Sequence, residues 1–236
     1  MGLAHEFLSF DTRDAASKFA TRFIQGGLEK ALESKATASL LVSGGSTPGD
    51  VFDALTQAEL DWSRVVVGLV DERWVNPEDP ASNERLVRQR LLKGCAGAAG
   101  FLPMRTLDDS PQIAVEDRGG AYGPHCAPAD VILLGMGEDG HTASWFPGAT
   151  GLVQALDSEA PIAAIDAKGC PVAGNHTQRM TLTGRAVTEA TSAILLIFGE
   201  SKKDVYEEAL SSPREQMPVR HAIDKLGPRL TVVWAA

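Results

Sequence analysis

The sequence has few cysteines, few aromatic residues and no long apolar run. Its three cysteines, Cys95, Cys126 and Cys170, are odd in number and widely spaced, a pattern that matches neither a disulfide framework nor a cysteine-based zinc site. No apolar stretch approaches the roughly 20 residues that a membrane-spanning helix needs. The first residues also lack the basic region and long apolar stretch of a signal peptide. We therefore expect a reduced cytoplasmic protein with no membrane segment.

Positive charge is scarce as well. The chain has 22 Lys and Arg residues against 31 Asp and Glu residues, and its net charge is −9. Nucleic acids and anionic membranes bind positively charged surfaces, so neither is expected as a general partner. A small anionic ligand remains compatible with this charge, because a few local cations can reverse the sign of one pocket. The five histidines are scattered without partners at metal-ligand spacing, and we expect no metal ion.

Short apolar runs alternate with amphipathic helix patterns along the whole chain. A length of 236 residues with 44% hydrophobic residues suits one sizeable α/β domain covering residues 1–236. The patterns predict strands at 38–42, 65–70, 130–134, 161–165, 180–182, 193–198 and 230–234, and helices at 14–32, 47–58, 82–92 and 202–210. Such alternation predicts an open, mostly parallel, Rossmann-like sheet with helices on both faces.

Glycine and proline set several of the predicted boundaries. Thr47 is expected to cap the second helix, with Pro48 at the first helical position. The Gly- and Ala-rich residues 94–102 are expected to form a connection. Residues 117–128, which contain three glycines and two prolines, are expected to be irregular or a helix that breaks early.

Three loops with polar side chains follow predicted strands, at residues 43–47, 71–83 and 135–147. In open parallel sheets, ligands bind outside the carboxyl ends of the strands, where such loops gather. We therefore expect the three loops to meet on one edge of the sheet.

The first two of these loops contain groups that can bind an anion. "SGGSTP" offers flexible glycines, hydroxyl groups and a helix N-terminus, although it lacks the Gly-Lys-Ser/Thr of a Walker A loop. A tight turn followed by a capped helix would need the same residue types. In "DERW", Arg73 can bind a phosphate through two hydrogen bonds and Asp71 can orient a base or a hydroxyl group. The alternative for this segment is a salt-bridged surface turn.

The third loop, "GMGEDGHTASWFPG", fits the spacing of a dinucleotide-binding fingerprint, but Pro147 follows Gly140 too closely for the helix that the fingerprint requires. The glycines can instead let the backbone turn so that His141 points into a cleft, with Asp139 beside it, as a candidate general base. A structural histidine is the alternative. Two interpretations are likewise open for each of the cations Arg179, Lys202 and Lys203: a solvated surface charge, or a positive charge at the ligand-binding edge of the sheet. The sequence lacks the Gly-x-Ser-x-Gly elbow that would indicate a serine hydrolase.

Five segments together resemble the 6-phosphogluconolactonase family, which belongs to a wider group of sugar-phosphate enzymes that includes glucosamine-6-phosphate deaminase. They are "LLVSGGSTPGDVFDAL", "VDERWVNPEDPASNERLV", "DVILLGMGEDGHTASWFPG", "RMTLT" and "GESKKDV". The resemblance implies an enzyme of the carboxylic ester hydrolase class that converts 6-phospho-D-glucono-1,5-lactone to 6-phospho-D-gluconate in the oxidative pentose phosphate pathway. It implies no cofactor and no metal, and a phosphorylated sugar lactone as the small-molecule partner.

The resemblance also implies roles for particular residues. His141 would be the general base, held by Asp71 or Asp139; the motifs do not decide which. Lys202, and not Lys203, matches the family's spacing from Gly199. The implied phosphate site comprises Gly44, Gly45, Ser46, Thr47, Arg73, Arg179 and Lys202.

Two other functions remain open at this point. A sugar-phosphate isomerase or deaminase is disfavoured, because the loop after His141 lacks the glutamate that the deaminase uses there. A non-catalytic sugar-phosphate sensor would have no need of a positioned base. The chain departs from the family pattern before Asp130, where it is glycine-rich and relatives tend to have a regular helix with a tyrosine. We expect a monomer or a small homo-oligomer.

Overall fold

The computed structural model describes residues 4–236, which contain two β-sheets. Within this range the strands are β1 (Glu6–Phe10), β2 (Ala38–Val42), β3 (Val65–Leu69), β4 (Asp71–Arg73), β5 (Gly100–Leu102), β6 (Val131–Leu134), β7 (Ile162–Asp166), β8 (Gln178–Leu182), β9 (Ser192–Phe198) and β10 (Leu230–Ala235). The larger sheet has seven strands in the order β1-β10-β9-β6-β2-β3-β5. All of its pairings are parallel.

Helices flank the larger sheet. They are α1 (Arg13–Ser34), α2 (Gly49–Leu55), α3 (Asn83–Arg90), α4 (Pro111–Cys126), α5 (Leu152–Asp157), α6 (Gly184–Thr188), α7 (Glu200–Ala209) and α8 (Val219–Leu226). The predicted α/β class with a mostly parallel sheet is confirmed. The predictions for β2, β3, β6, β9, α1 and α7 differ from the structure by no more than two residues at either end.

The central strands are apolar because helices cover both faces of the sheet. Every residue of β2 and of β6 is buried, and the buried apolar side chains form one continuous core. The apolar runs that predicted these strands are therefore explained by burial on two faces. Among residues 4–236, no helix is both long enough and apolar enough to cross a membrane.

A second, smaller sheet was not predicted. The strands β4, β8 and β7 pair antiparallel in that order, so residues 71–73, expected in a loop, are a strand. The small sheet joins the large one at Val70, whose N–H donates to Val42 O at 2.9 Å and whose carbonyl accepts from Leu182 N at 2.8 Å. This junction carries Asp71 and Arg73 to the carboxyl edge of the parallel strands.

The prediction that residues 117–128 are irregular, or a helix that breaks early, was wrong. Helix α4 continues through all three glycines and Pro124 to Cys126, and it packs on β7 and β8. The family's regular helix with a tyrosine is therefore present: Tyr122 is fully buried. Its hydroxyl accepts from Leu69 N and donates to Leu102 O, both at 3.0 Å. These contacts outweigh the low helix propensity of glycine.

Other boundaries also differ from the predictions. Residues 94–102 are not only a connection, because β5 forms the edge of the sheet beside β3. Pro48, and not Thr47, occupies the N-cap of α2, and no side chain caps this helix. The patterns missed β1 and α8 altogether. The strands β1 and β5 and the helix α8 depend on pairing or packing with segments that are distant in sequence.

Replacing Tyr122 with phenylalanine is expected to lower the free energy of unfolding by about 1–3 kcal/mol, because the buried N–H of Leu69 loses its acceptor. Denaturant titration measures this change. Tyr206→Phe is the control, since the Tyr206 hydroxyl contacts the side chain of His5 and its removal leaves no backbone group unpaired. Equal stability of Tyr122→Phe and the wild type would contradict this account of the helix. The kcat of Tyr122→Phe should not change.

Candidate active site

A cleft of about 350 Å³ opens at the carboxyl edge of the parallel strands. The order of the strands reverses between the neighbours β2 and β6. The next strand of the larger sheet after β2 is β3, on one side, and the next after β6 is β9, on the other side. Such a switch point in strand order is where open α/β sheets bind ligands. Nine of the ten predicted site residues line the cleft: Gly44, Gly45, Ser46, Thr47, Asp71, Arg73, His141, Arg179 and Lys202.

The tenth predicted residue, Asp139, lies behind His141. Its Oδ1 is 2.5 Å from His141 Nδ1 and accepts a hydrogen bond from His141 N at 3.2 Å. Among residues 4–236, no group forms a hydrogen bond with His141 Nε2. The imidazole therefore has one nitrogen held by a carboxylate and the other free to contact a ligand or water.

The carboxylate of Asp139 remains charged throughout the neutral range. Burial raises its pKa, but the hydrogen bond and the charge of His141 outweigh burial, so the pKa of Asp139 lies below its ordinary value. An ionised partner at Nδ1 fixes the imidazole tautomer that has a free lone pair at Nε2. The ring of Phe146, 4.3 Å from the His141 ring between centroids, further restricts the imidazole.

The glycines of this loop let the imidazole occupy its position. A Cβ atom at Gly137 would lie 2.0 Å from His141 Nδ1, and one at Gly140 would lie 2.2 Å from Met217 Sδ. Gly140 also has a φ of +73°, which favours glycine. No helix follows Gly140 until α5, so the helix that a dinucleotide fingerprint requires is absent from this described part of the chain.

Asp71 contacts other groups than His141. Its Oδ2 accepts from Ser144 Oγ at 2.6 Å and lies 3.9 Å from Arg179 Nη1. Asn83 Nδ2 donates to the backbone carbonyl of Asp71 at 2.8 Å. Among the described residues no hydrogen bond joins Asp71 to His141. Of the two candidate carboxylates, Asp139 is thus the one placed against the imidazole, while Asp71 faces the cleft.

The loop of residues 43–47 presents backbone N–H groups to the cleft. Within residues 4–236, no group accepts a hydrogen bond from the N–H groups of Gly44, Gly45, Ser46 or Thr47. Gly45 has a φ of +89°. A Cβ at Gly44 would lie 1.9 Å from Asn83 Oδ1, so this position requires glycine. Unpaired N–H groups just before a helix are suited to binding an anion.

Two arginines face each other beside this loop. Arg73 of β4 and Arg179 of β8 are direct cross-strand partners, and like charges in that position repel. Burial, opposed by Asp71 and assisted by Arg73, lowers the pKa of Arg179 to about 10. The Nε of Arg73 is buried without a hydrogen-bond partner among the described residues. A bound anion would relieve the repulsion and supply the missing acceptor.

The two lysines of α7 differ in position. Lys202 lines the cleft and its Nζ lies 3.3 Å from Glu138 Oε1. Lys203 Nζ lies over the ring of Trp234, 5.0 Å from the centroid, and does not line the cleft. Of the two lysines, the one that matches the family's spacing from Gly199 is thus the one that lines the cleft.

The sequence motifs missed several residues of the site. Asn83 and Ser144 both bond Asp71, and the buried Glu72 accepts hydrogen bonds from Asn83 N and Glu84 N at the start of α3, each at 2.8 Å. All three lie inside motifs that were recognised, but motif spacing does not show which side chains point inward. Among residues 4–236, no cluster of three or more His, Cys, Asp or Glu side chains could hold a metal ion.

Known proteins share both the sequence and the fold. Residues 11–234 match the family of glucosamine-6-phosphate isomerases/6-phosphogluconolactonase. A 6-phosphogluconolactonase of Rhizobium meliloti is 40% identical over 96% of this chain and 97% of its own length. The crystal structure of a 6-phosphogluconolactonase from Shewanella baltica superposes with a TM-score of 0.93 at 36% identity, covering 100% of both chains. The chain therefore belongs to the glucosamine-6-phosphate isomerase/6-phosphogluconolactonase family.

Proposed function

We propose that the protein hydrolyses 6-phospho-D-glucono-1,5-lactone to 6-phospho-D-gluconate, with His141 as the general base. Its similarity over nearly the full length to 6-phosphogluconolactonases supports the reaction. The observation that supports the roles of the residues is the His141–Asp139 pair. His141 has a free Nε2 and lines a cleft that is also lined by three cationic side chains. Such a cleft offers both a base and a site for a charged substrate.

His141 Nε2 takes a proton from a water molecule as the water oxygen attacks the lactone carbonyl carbon. The resulting imidazolium then protonates the ring oxygen as its bond to the carbonyl carbon breaks. Asp139 stabilises the imidazolium between these steps through its hydrogen bond to Nδ1. A lactone is already an activated ester, so the reaction needs no cofactor.

The phosphate group is proposed to bind at the loop of residues 43–47. The unpaired N–H groups of this loop would donate hydrogen bonds to its oxygens, and Arg73, Arg179 and Lys202 would neutralise its charge. Arg179 is less mobile than Arg73, because its Nε and Nη2 donate to the carbonyls of His176 and Ala173 at 2.5 and 3.1 Å. Asp71 faces the same cleft and is available for a sugar hydroxyl group.

The competing functions have less support. The structure of a monomeric glucosamine-6-phosphate deaminase shares the fold, with a TM-score of 0.78 at 18% identity, but that level of identity speaks only for architecture. No glutamate occurs between His141 and Leu152. A phosphate-binding sensor without turnover would not need a histidine held by a carboxylate.

An assay that follows acid release from the lactone, with an enzyme-free blank for spontaneous hydrolysis, tests the proposal. Rates well above the blank support it; rates equal to the blank, with ligand binding intact, indicate the sensor. Release of ammonia from glucosamine 6-phosphate would indicate the deaminase instead. The pathway, the cytoplasmic location and a monomer or small homo-oligomer remain predictions.

Asp139→Asn is expected to lower kcat by at least about 10²-fold, because the amide keeps an oxygen near Nδ1 but removes the negative charge that stabilises the imidazolium formed during the reaction. Initial rates corrected for spontaneous hydrolysis check this effect.

The matched control is Asp166→Asn. Asp166 Oδ1 accepts the N–H of Lys168 at 3.0 Å, two residues on, just as Asp139 accepts the N–H of His141. Asp166 lies outside the cleft, so its variant should retain the wild-type kcat. A wild-type kcat in Asp139→Asn would contradict the proposed role of Asp139.

A further inference from the structure

Ala143 has an unusual backbone conformation beside the proposed base. Its φ is +52°, and no other non-glycine residue among residues 4–236 has a positive φ. This conformation costs a side-chain-bearing residue energy and persists only where its surroundings enforce it. Here Ser144 N donates to Thr181 Oγ1 at 3.2 Å, Trp145 N donates to Thr142 O at 3.0 Å, and Thr142 Oγ1 donates to Gly135 O at 2.8 Å.

The backbone N–H groups of Thr142 and Ala143 lack acceptors within the described chain. Both residues are buried, with 1% and 8% of their surfaces exposed. A buried N–H group without a partner is costly, so native structures almost always supply one. Both residues line the cleft, and the cleft is therefore where an acceptor for these groups would come from.

The position of these groups relative to His141 identifies the acceptor. Thr142 and Ala143 follow His141 directly, and consecutive Cα atoms are about 3.8 Å apart, so both residues lie close to the proposed base in the same cleft. The cation Arg179 lines the same cleft, but its guanidinium already donates to two backbone carbonyls. The N–H groups of Thr142 and Ala143 have no such acceptor within the described chain. When water attacks a lactone, negative charge develops on the carbonyl oxygen, and donors fixed in advance around that oxygen lower the barrier.

We propose that the backbone N–H of Ala143, with that of Thr142 beside it, forms the oxyanion hole for the lactone carbonyl. This inference rests on the proposed hydrolysis. As the bond from water oxygen to the carbonyl carbon forms, the C=O π electrons move to the carbonyl oxygen and the proton passes to His141. When the carbonyl re-forms, the bond to the ring oxygen breaks and that oxygen takes the proton from His141. The positive φ of Ala143 holds the N–H in place throughout.

The test replaces the amide N–H of Ala143 by an ester oxygen, through incorporation of lactic acid at position 143. This N–H has no acceptor within the described chain, so its loss breaks no hydrogen bond; the ester carbonyl of residue 142 is a weaker acceptor for Trp145 N, so the unfolding midpoint should fall only slightly. The kcat should fall by about 10²-fold, as for the loss of one oxyanion donor, while KM and the affinity for 6-phospho-D-gluconate remain at wild-type values.

Lactic acid at Ala149 is the matched control. Ala149 is also 8% exposed and follows in the same loop, but its N–H donates to Phe146 O at 3.1 Å and it lies outside the cleft. This ester should lower the unfolding midpoint and leave kcat unchanged. Ala143→Gly keeps the N–H and accepts a positive φ, so it should retain kcat to within about threefold.

The outcomes separate the oxyanion hole from the proposed function. If the wild type is no faster than the blank, the proposed function fails. If the wild type is active but the ester at 143 has unchanged kcat, the oxyanion hole alone fails. A raised KM with unchanged kcat would also overturn it, since the N–H would then bind the ground state and the transition state equally.

Discussion

His141→Ala is expected to lower kcat for 6-phospho-D-glucono-1,5-lactone by about 10²–10⁴-fold, the usual contribution of a positioned general base. Among residues 4–236, the imidazole is the only ring in this part of the cleft that combines a nitrogen without a hydrogen-bond partner and a carboxylate partner. Without it, no described side chain near Asp139 could both accept a proton from water and return it to the ring oxygen. Initial rates corrected for spontaneous hydrolysis measure the effect.

The fold should survive this substitution, because the backbone N–H of residue 141 still donates to Asp139 Oδ1 and the glycines of the loop remain in place. The losses are the bond from Nδ1 to Asp139 and the contact with Phe146. His125→Ala is the control. His125 lies in the last turn of α4, outside the cleft, and its removal is the same chemical change. A His141→Ala variant with thermal unfolding and kcat both like the wild type would show that another group activates the water.

Arg73→Ala is expected to lower kcat/KM by about 10²-fold, mainly through KM, because a charged, partly buried residue that we propose to bind the phosphate is lost. In the structure described here, Arg73 donates through Nη1 to Ala81 O at 2.6 Å and leaves its buried Nε unpaired. Replacing Arg73 should therefore disturb the fold less than replacing Arg179, whose guanidinium donates to two backbone carbonyls. Removing Arg73 also relieves its repulsion with Arg179, so stability should change little.

The unphosphorylated substrate glucono-1,5-lactone makes this prediction specific. Arg73→Ala and the wild type should hydrolyse this compound at the same rate, since it has no phosphate group for Arg73 to bind. Arg85→Ala is the matched control: Arg85 Nη1 donates to Glu78 O at 2.8 Å in the same connecting segment, but Arg85 lies outside the cleft. An equal loss on both substrates would place Arg73 at the reacting carbonyl instead of the phosphate.

These predictions depend on the two sheets meeting at one place. The loops after β2 and β6 supply the backbone donors and the His141–Asp139 pair, and both come from the parallel sheet. The antiparallel sheet supplies Arg73 and Arg179 as a cross-strand pair. Phe146 lies between the two sets, with its ring 4.3 Å from the His141 ring and 5.2 Å from Arg179 Cζ. The imidazole of His141 and the guanidinium group of Arg179 are thus held on either side of one aromatic ring.

Local signals in the sequence were reliable where burial alone determines structure. Apolar runs marked the central strands because helices bury both of their faces. Glycine and proline were poorer guides: α4 runs through three glycines because Tyr122 anchors it to β3 and β5, and β5 itself is three residues whose pairing with β3 makes them a strand. Propensity is a weak signal when such distant contacts decide the outcome.

The sequence by itself determined the class of fold and the side chains available for chemistry, since apolar periodicity reports burial and the loop motifs name the residues at the strand ends. Only the tertiary structure decided how those side chains are paired. It placed Asp139 on His141 and turned Asp71 towards Ser144, 73 positions away, and it set Arg73 opposite Arg179. Such pairings depend on the register between strands and on the direction of each side chain, which arise only when segments distant in the chain pack together.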